Sequence, residues 1–252
     1  MTKAQHRDDH TEHLEATRAY YDEFAGRYDT RRGGNDPGGY HDLIDALEVD
    51  FVERFARDRD VLEVGCGTGL LLHRIQRFAR SAKGVDLSPG MLSRARARGL
   101  DVEVGSATAL PFPDASFDVS CSFKVLPHVR EIRVALAEMA RVLRPGGVLV
   151  AEFYNPFSIR GLVKRLGPAG AISDKTREDA VFTRFDAPDD VPNLLPQGTR
   201  PIASRGARLL IPAAAAMRLP GVGALLHKAE WALCDSALHR FAGFWMLAAK
   251  KD

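Results

Sequence analysis

The chain has 252 residues, 45% of them hydrophobic and 27% charged, which suffices to bury the core of one large α/β domain. Its 35 Lys and Arg against 33 Asp and Glu leave a net charge of +2, so it offers no strong field to nucleic acid or to an acidic membrane. Three scattered cysteines, Cys66, Cys121 and Cys234, lack metal-ligand spacing, and no metal is expected.

Residues 1–15 are polar and charged, without the pattern of a secretory leader, and the most apolar stretch, 209–217, is too short to span a bilayer. A cytoplasmic location is expected, with no stable membrane insertion. Residues 1–39 read as a helical lead-in bearing Tyr20, Tyr21, Phe24 and Tyr28, closed by a glycine-rich hinge at 33–39. Over 40–57 the apolar residues Leu43, Ile44, Leu47, Phe51, Val52 and Phe55 recur at helical spacing.

From there strands and helices alternate. A buried strand at 61–64 precedes a glycine turn and a helix through 70–78. A second strand at 82–85 leads to Ser88-Pro89, an N-cap and first-turn pair. The helix that follows bears Arg94, Arg96 and Arg98, which read as a solvated face. Strands at 102–104 and 117–123 come next, then a helix through 135–143, closed by Pro145-Gly146-Gly147, and a fifth strand at 148–153. The core is expected over 40–153 and a small cap insertion over 154–201, where prolines multiply. The C-terminal part of the core, 202–252, supplies two more strands and a helix. The fold expected is α/β, a Rossmann-like, seven-stranded, mostly parallel sheet with helices on both faces.

The most informative segment is Val61-Leu62-Glu63-Val64-Gly65-Cys66-Gly67-Thr68-Gly69. Glycines between strand and helix let the backbone turn tightly and let a ligand approach the main chain. Seventeen residues after Gly69, at the end of the second strand, stands Asp86, placed to accept hydrogen bonds from both ribose hydroxyls of a nucleoside. A nicotinamide fingerprint would put glycine where Leu70 stands, and no P-loop lysine follows the turn.

These residues resemble the class I S-adenosylmethionine-dependent methyltransferases, in particular the group that includes the ubiquinone and menaquinone biosynthesis methylases. The likeness runs over about residues 20–153. It rests on the segment from Glu63 to Gly69, on Asp86, on Ala109-Leu110-Pro111-Phe112-Pro113-Asp114 and Phe117-Asp118, and on Arg141-Val142-Leu143-Arg144-Pro145-Gly146-Gly147. The resemblance implies S-adenosyl-L-methionine as cofactor, with Glu63, Gly65, Cys66, Gly67 and Gly69 along its methionine part. It likewise implies Asp86 at the ribose and Leu87 on the adenine. Where the family has Gly-Asp before the adenine loop, this chain has Gly105-Ser106-Ala107, so Ser106 and Ala107 are expected there with a weaker, neutral acceptor. A helix-borne aromatic at the cofactor, here Tyr28, is a further implication, although the tyrosines could equally serve to dock the helix.

Methyl transfer is an in-line displacement in which the protein aligns the partners and excludes water. His128, just after the fourth strand, is a candidate base or a locally packed histidine. Tyr154 and Asn155, at the end of the fifth strand, are candidates for handling the substrate. Lys124 is a candidate carboxylate anchor or a lysine whose stem packs while its head reaches water. Residues 157–200 and 209–217 are expected to wall an apolar acceptor site. The reading is therefore a methyltransferase for a small, mostly apolar metabolite, without a nucleic-acid partner. The alternatives are a nucleic-acid or protein methyltransferase and a dinucleotide-dependent oxidoreductase, against which stand the absent Asn-Pro-Pro-Tyr and Tyr-x-x-x-Lys signatures. A cofactor-binding scaffold without catalysis is the remaining reading, and the oligomeric state stays open.

Overall fold

A computed structural model describes residues 3–32, 38–158 and 182–252, with the backbone alone for 3–13. Helix α1 (Lys3–Arg31) is followed by α2 (Tyr40–Ala56), β1 (Asp60–Val64), α3 (Leu70–Ile75), β2 (Ser81–Asp86), α4 (Pro89–Ala97) and β3 (Asp101–Val104). Then come β4 (Phe117–Ser122), α5 (Ile132–Arg141), β5 (Leu143–Tyr154), β6 (Thr199–Ala207), α6 (Val222–Leu233) and β7 (Phe244–Lys251). The strands form one sheet in the order β3-β2-β1-β4-β5-β7-β6. Neighbours from β3 through β5 are parallel, and β7 runs antiparallel to both β5 and β6.

Strand alternation sorts the core between two faces. Val61, Val119, Cys121, Val148 and Val150 pack with Leu43, Ile44, Leu47, Phe51 and Val52 of α2. Their neighbours Leu62, Leu149, Ala151 and Phe153 pack on the other face with Leu136 and Met139 of α5. Each fully buried aliphatic or aromatic side chain contributes roughly 1.5–3 kcal/mol relative to exposure. By the same alternation Glu63 and Glu152 fall on the α2 face, a placement that the sequence left undecided for Glu152.

Three expectations change. Pro145-Gly146-Gly147 does not separate helix from strand: β5 starts at Leu143 and carries the glycines through an irregular register against β4, with Gly146 at φ +76°. Arg94 and Arg96 are exposed as expected, whereas Arg98, just past the end of α4, is half-buried and pairs with Asp29 of α1. Residues 209–217 do not face the ligand cavity. Leu209, Ile211 and Met217 are buried, and the Leu209, Leu210 and Ile211 N–H groups donate to the Glu230 carboxylate at 3.0, 2.6 and 3.2 Å. Most of the expected hinge, 33–37, and most of the cap, 159–181, lie outside the described residues.

Candidate functional site

The sheet order reverses between β1 and β4, and at such a point a crevice opens at the carboxyl ends of the strands. The loops after β1, β2, β3, β4 and β5 all contribute to a cavity of about 860 Å³ there, and α1 forms its roof.

The glycine turn forms its first wall. Gly65, Gly67 and Gly69 have φ of +76°, +54° and +81°, a region that favours residues without a Cβ. A Cβ on Gly65 would lie 2.2 Å from a Val125 methyl, whereas one on Gly67 would meet nothing within 4 Å. Gly65 is thus fixed by packing, and the open side of Gly67 faces the cavity it lines.

Asp86 closes the next side. One carboxylate oxygen accepts from the Gly67 N–H at 2.8 Å and the other from the Ser88 N–H at 2.9 Å. Burial pushes its pKa up, opposed by those N–H donors. Leu87, Met91, Gly105, Ser106 and Ala107 continue the wall. The Ser106 hydroxyl pairs with the Thr108 hydroxyl at 2.8 Å and accepts from the Thr108 N–H at 3.2 Å.

Aromatic rings line the remainder: Tyr20, Tyr21, Phe24 and Tyr28 from α1, then Phe123, Tyr154, Phe185 and Phe244. His128 stands edge-on to Tyr154 at 5.7 Å. The His128 Nδ1 lies 2.9 Å from the Phe182 carbonyl and 3.2 Å from the Thr183 hydroxyl. The carbonyl can only accept, so Nδ1 carries the hydrogen and Nε2 keeps its lone pair. Burial lowers the pKa of the ring below the usual histidine value, against the opposing effect of the Phe182 bond. His128 is therefore a neutral imidazole in a cavity wall. The Tyr154 hydroxyl makes no hydrogen bond to a described residue, and burial raises its pKa well above the usual tyrosine value, with Glu152 adding to the rise.

The other residues picked out from sequence lie as follows. Asn155 lines the cavity, but its amide donates to the Arg240 and Ala242 carbonyls at 2.7 and 3.0 Å and accepts from the Phe157 N–H at 2.9 Å. Glu63, Cys66 and Gly69 are not cavity-lining. Glu63 is buried behind the turn, with burial raising its pKa well above the carboxylate range and Glu48 adding to the effect. Cys66 is buried near Gly84 and Leu72, and Gly69 lies against Leu100 and Ala95.

Lys124 lines the cavity in a left-handed backbone conformation, φ +59°. Its ammonium meets Glu48 at 2.5 Å and Asp45 at 3.3 Å, both from α2. Burial opposes its charge, but Glu48 and Asp45 outweigh that and hold its pKa above the usual lysine value. Its charge is thus already answered by two carboxylates of the fold.

Sequence reasoning missed how α1 is seated. Asp22 Oδ1 accepts from the Ser88 hydroxyl at 2.5 Å and from the Gly90 N–H at 2.8 Å, at the N-terminus of α4. Asp29 accepts from the Thr68 hydroxyl at 2.6 Å and pairs with Arg98, while Arg94 donates to the Gly26 carbonyl at 3.2 Å. The Arg98 guanidinium also donates to the Thr68 carbonyl at 2.6 Å. A signal was present: Asp22 and Asp29 are seven residues apart, two turns along one helix face.

Residues 62–151 match a family model described as a methyltransferase domain. A probable S-adenosylmethionine-dependent methyltransferase of Mycolicibacterium smegmatis is 40% identical over 99 residues, 38% of this chain and 38% of that protein. A ubiquinone/menaquinone biosynthesis C-methyltransferase of Dinoroseobacter shibae is 39% identical over 137 residues, 50% of this chain and 54% of its own length. The chain thus spans about half the length, or less, of these curated relatives. Among solved structures, an S-adenosylmethionine-dependent methyltransferase of Thermotoga maritima described as a possible histamine N-methyltransferase superposes with a TM-score of 0.66 at 20% identity. The match covers 92% of this chain and 98% of that one. The family match thus covers the strands and loops that build the cavity, and the chain as a whole has the class I methyltransferase fold.

Proposed function

We propose that the protein transfers a methyl group from S-adenosyl-L-methionine to a small, mostly apolar metabolite in the cytoplasm, with no nucleic-acid partner. One observation carries the reading: the glycine turn, Asp86 and an aromatic chamber open into a single cavity. The residues fit the cofactor. Gly67 leaves open space toward the cavity where a side chain would stand, and the Asp86 carboxylate, with about four acceptor positions, keeps one beyond its backbone donors Gly67, Ser88 and Leu87. When bound, S-adenosylmethionine supplies an electrophilic methyl on a sulfonium.

The residues of the chain then do the following. Gly67 and its neighbours present main chain to the cofactor's methionine part, Asp86 holds the ribose hydroxyls, and Leu87, Ser106 and Ala107 border the adenine. Tyr20, Tyr21, Phe24 and Tyr28 exclude water from above and hold the acceptor against the reacting carbon. His128 keeps an unprotonated Nε2 at neutral pH and takes the proton from an acceptor that must lose one. Chambers of this kind, apolar with a few placed polar groups, suit small ligands.

The direct test is calorimetric titration with S-adenosylhomocysteine. Saturable binding in the micromolar range or tighter, weakened by Asp86→Ala, supports the reading. Absence of binding by folded protein overturns it.

A further inference from the structure

Under the cavity, on the α2 face of the sheet, lies a buried ionic cluster that the proposed reaction does not use. It comprises Asp45 and Glu48 of α2, Glu63 of β1, Glu152 of β5, Lys124 after β4, and Arg32 at the end of α1. Glu48, Glu63 and Glu152 are 0, 3 and 0% exposed, and Asp45 is 4% exposed. Lys124 bonds Glu48 and Asp45 as above, and its N–H donates to Glu152 Oε1 at 3.2 Å. Glu63 Oε2 and Glu152 Oε2 have no hydrogen-bond partner among the described residues. His41, Asp42 and Arg74 flank the cluster, with Arg74 paired to Asp42 at 2.6 Å.

Four carboxyls face two ammonium or guanidinium groups. Burial pushes Glu48, Glu63 and Glu152 upward, whereas Asp45 is held low: burial opposes its charge, but Lys124 and Arg32 prevail. One of the two cations is not part of the core. Arg32 continues α1, its N–H bonded to the Tyr28 carbonyl at 2.9 Å, and its guanidinium lies 5.9 Å from the Tyr28 ring centre. Its head group pairs with Asp45, and its side chain is only 12% exposed. The helix that roofs the cavity is therefore followed directly by a positive charge set against the buried Asp45 carboxylate.

We propose that Arg32 is the latch of α1: seating the helix over the cavity brings a second cation onto the buried Asp45 carboxylate, beside Lys124, so the roof and the charge balance of the floor are set together. The latch works at the C-terminal end of α1, and Asp22 and Asp29 secure the helix along α4. Withdrawing Arg32 leaves Lys124 as the one cation in direct contact with Asp45 among the described residues, in a desolvated site. Removing one partner of a buried pair strands the other, a larger loss than removing both. The consequence is a measurable coupling between Arg32 and Asp45 in the protection of α1.

The inference needs the cavity and its roof, not methyl transfer, so its test is made without cofactor or acceptor. Hydrogen exchange is measured on the full chain carrying Arg32→Gln, Asp45→Asn, both together, or Arg32→Lys. In Arg32→Gln the amides of residues 14–31 are expected to exchange at least about tenfold faster, with those of β1 and β4 unchanged. The double variant is expected to exchange no faster than Arg32→Gln, and Arg32→Lys to fall between it and the parent. Should Arg32→Gln fail to fold, Arg32→Lys with and without Asp45→Asn makes the same comparison. Unchanged protection of α1, equal acceleration in β1 and β4, or multiplying effects of the two substitutions would each overturn the latch. A protein that shows this pattern and binds no S-adenosylhomocysteine would retain the latch and lose the proposed function.

Discussion

Asp86 shapes the site before any ligand arrives, because its two oxygens hold the glycine turn and Ser88, the N-cap of α4. Asp86→Ala should weaken S-adenosylhomocysteine binding by roughly 1.5–3 kcal/mol, the scale of a hydrogen bond to a charged group. Calorimetry checks this, with circular dichroism to confirm that α4 survives. At His128 the sign of the pKa shift sets the pH profile. The imidazole titrates below its ordinary value, so the base remains unprotonated down to a lower pH than a free histidine allows. The acid limb of kcat/KM should lie below about pH 6.5, and His128→Gln should lower kcat by about 10²–10⁴ with KM little changed. A pH–rate profile of the variant that keeps the parent's limb would assign the proton transfer elsewhere. Both residues were legible in the chain, since their positions follow from strand ends. What sequence could not resolve was the saturation of their neighbours. Lys124 stayed open between an anchor and a lysine reaching water because Asp45 and Glu48, some 80 positions away, meet it only through the packing of α2 on the sheet.

The turn between β1 and α3 is held on one side by Val125, a β-branched side chain with little freedom to move aside. Gly65→Ala combines a positive φ with a Cβ 2.2 Å from a Val125 methyl. It is expected to cost about 2–3 kcal/mol of unfolding free energy, read by urea titration, and to abolish cofactor binding. Helix α1 is the opposite case, an element whose long polar sequence gives little amphipathic signal. Its seat is built from carboxylates instead of a hydrophobic stripe. Asp29→Ala removes the acceptor for Thr68 and the partner of Arg98, so it should speed exchange in α1 and weaken S-adenosylhomocysteine binding about tenfold, the equivalent of about 1.4 kcal/mol. The sheet and its flanking helices could be read from periodicity because burial imposes that periodicity. The seat of α1 could not, since acidic and basic residues carry the same sequence signature whether they face water or each other.

Across the whole molecule, His41 and His128 are both held neutral by burial, His41 down to about 4. The unfolded chain binds protons at these sites below about pH 6.5, whereas the folded protein does not. Their stabilising contribution is therefore present above that pH and lost as pH falls toward the folded values. The thermal midpoint should fall between pH 7 and pH 5, and replacing both histidines by Gln should flatten that part of the curve. The central claim is tested most directly by following the methyl group itself. The protein is incubated with methyl-labelled S-adenosylmethionine and a cell extract separated into small-molecule, protein and nucleic-acid fractions. The account predicts label in the organic-soluble small-molecule fraction, lost in Asp86→Ala. Label confined to protein or nucleic acid, or no transfer to any fraction by protein that binds the cofactor, would contradict it.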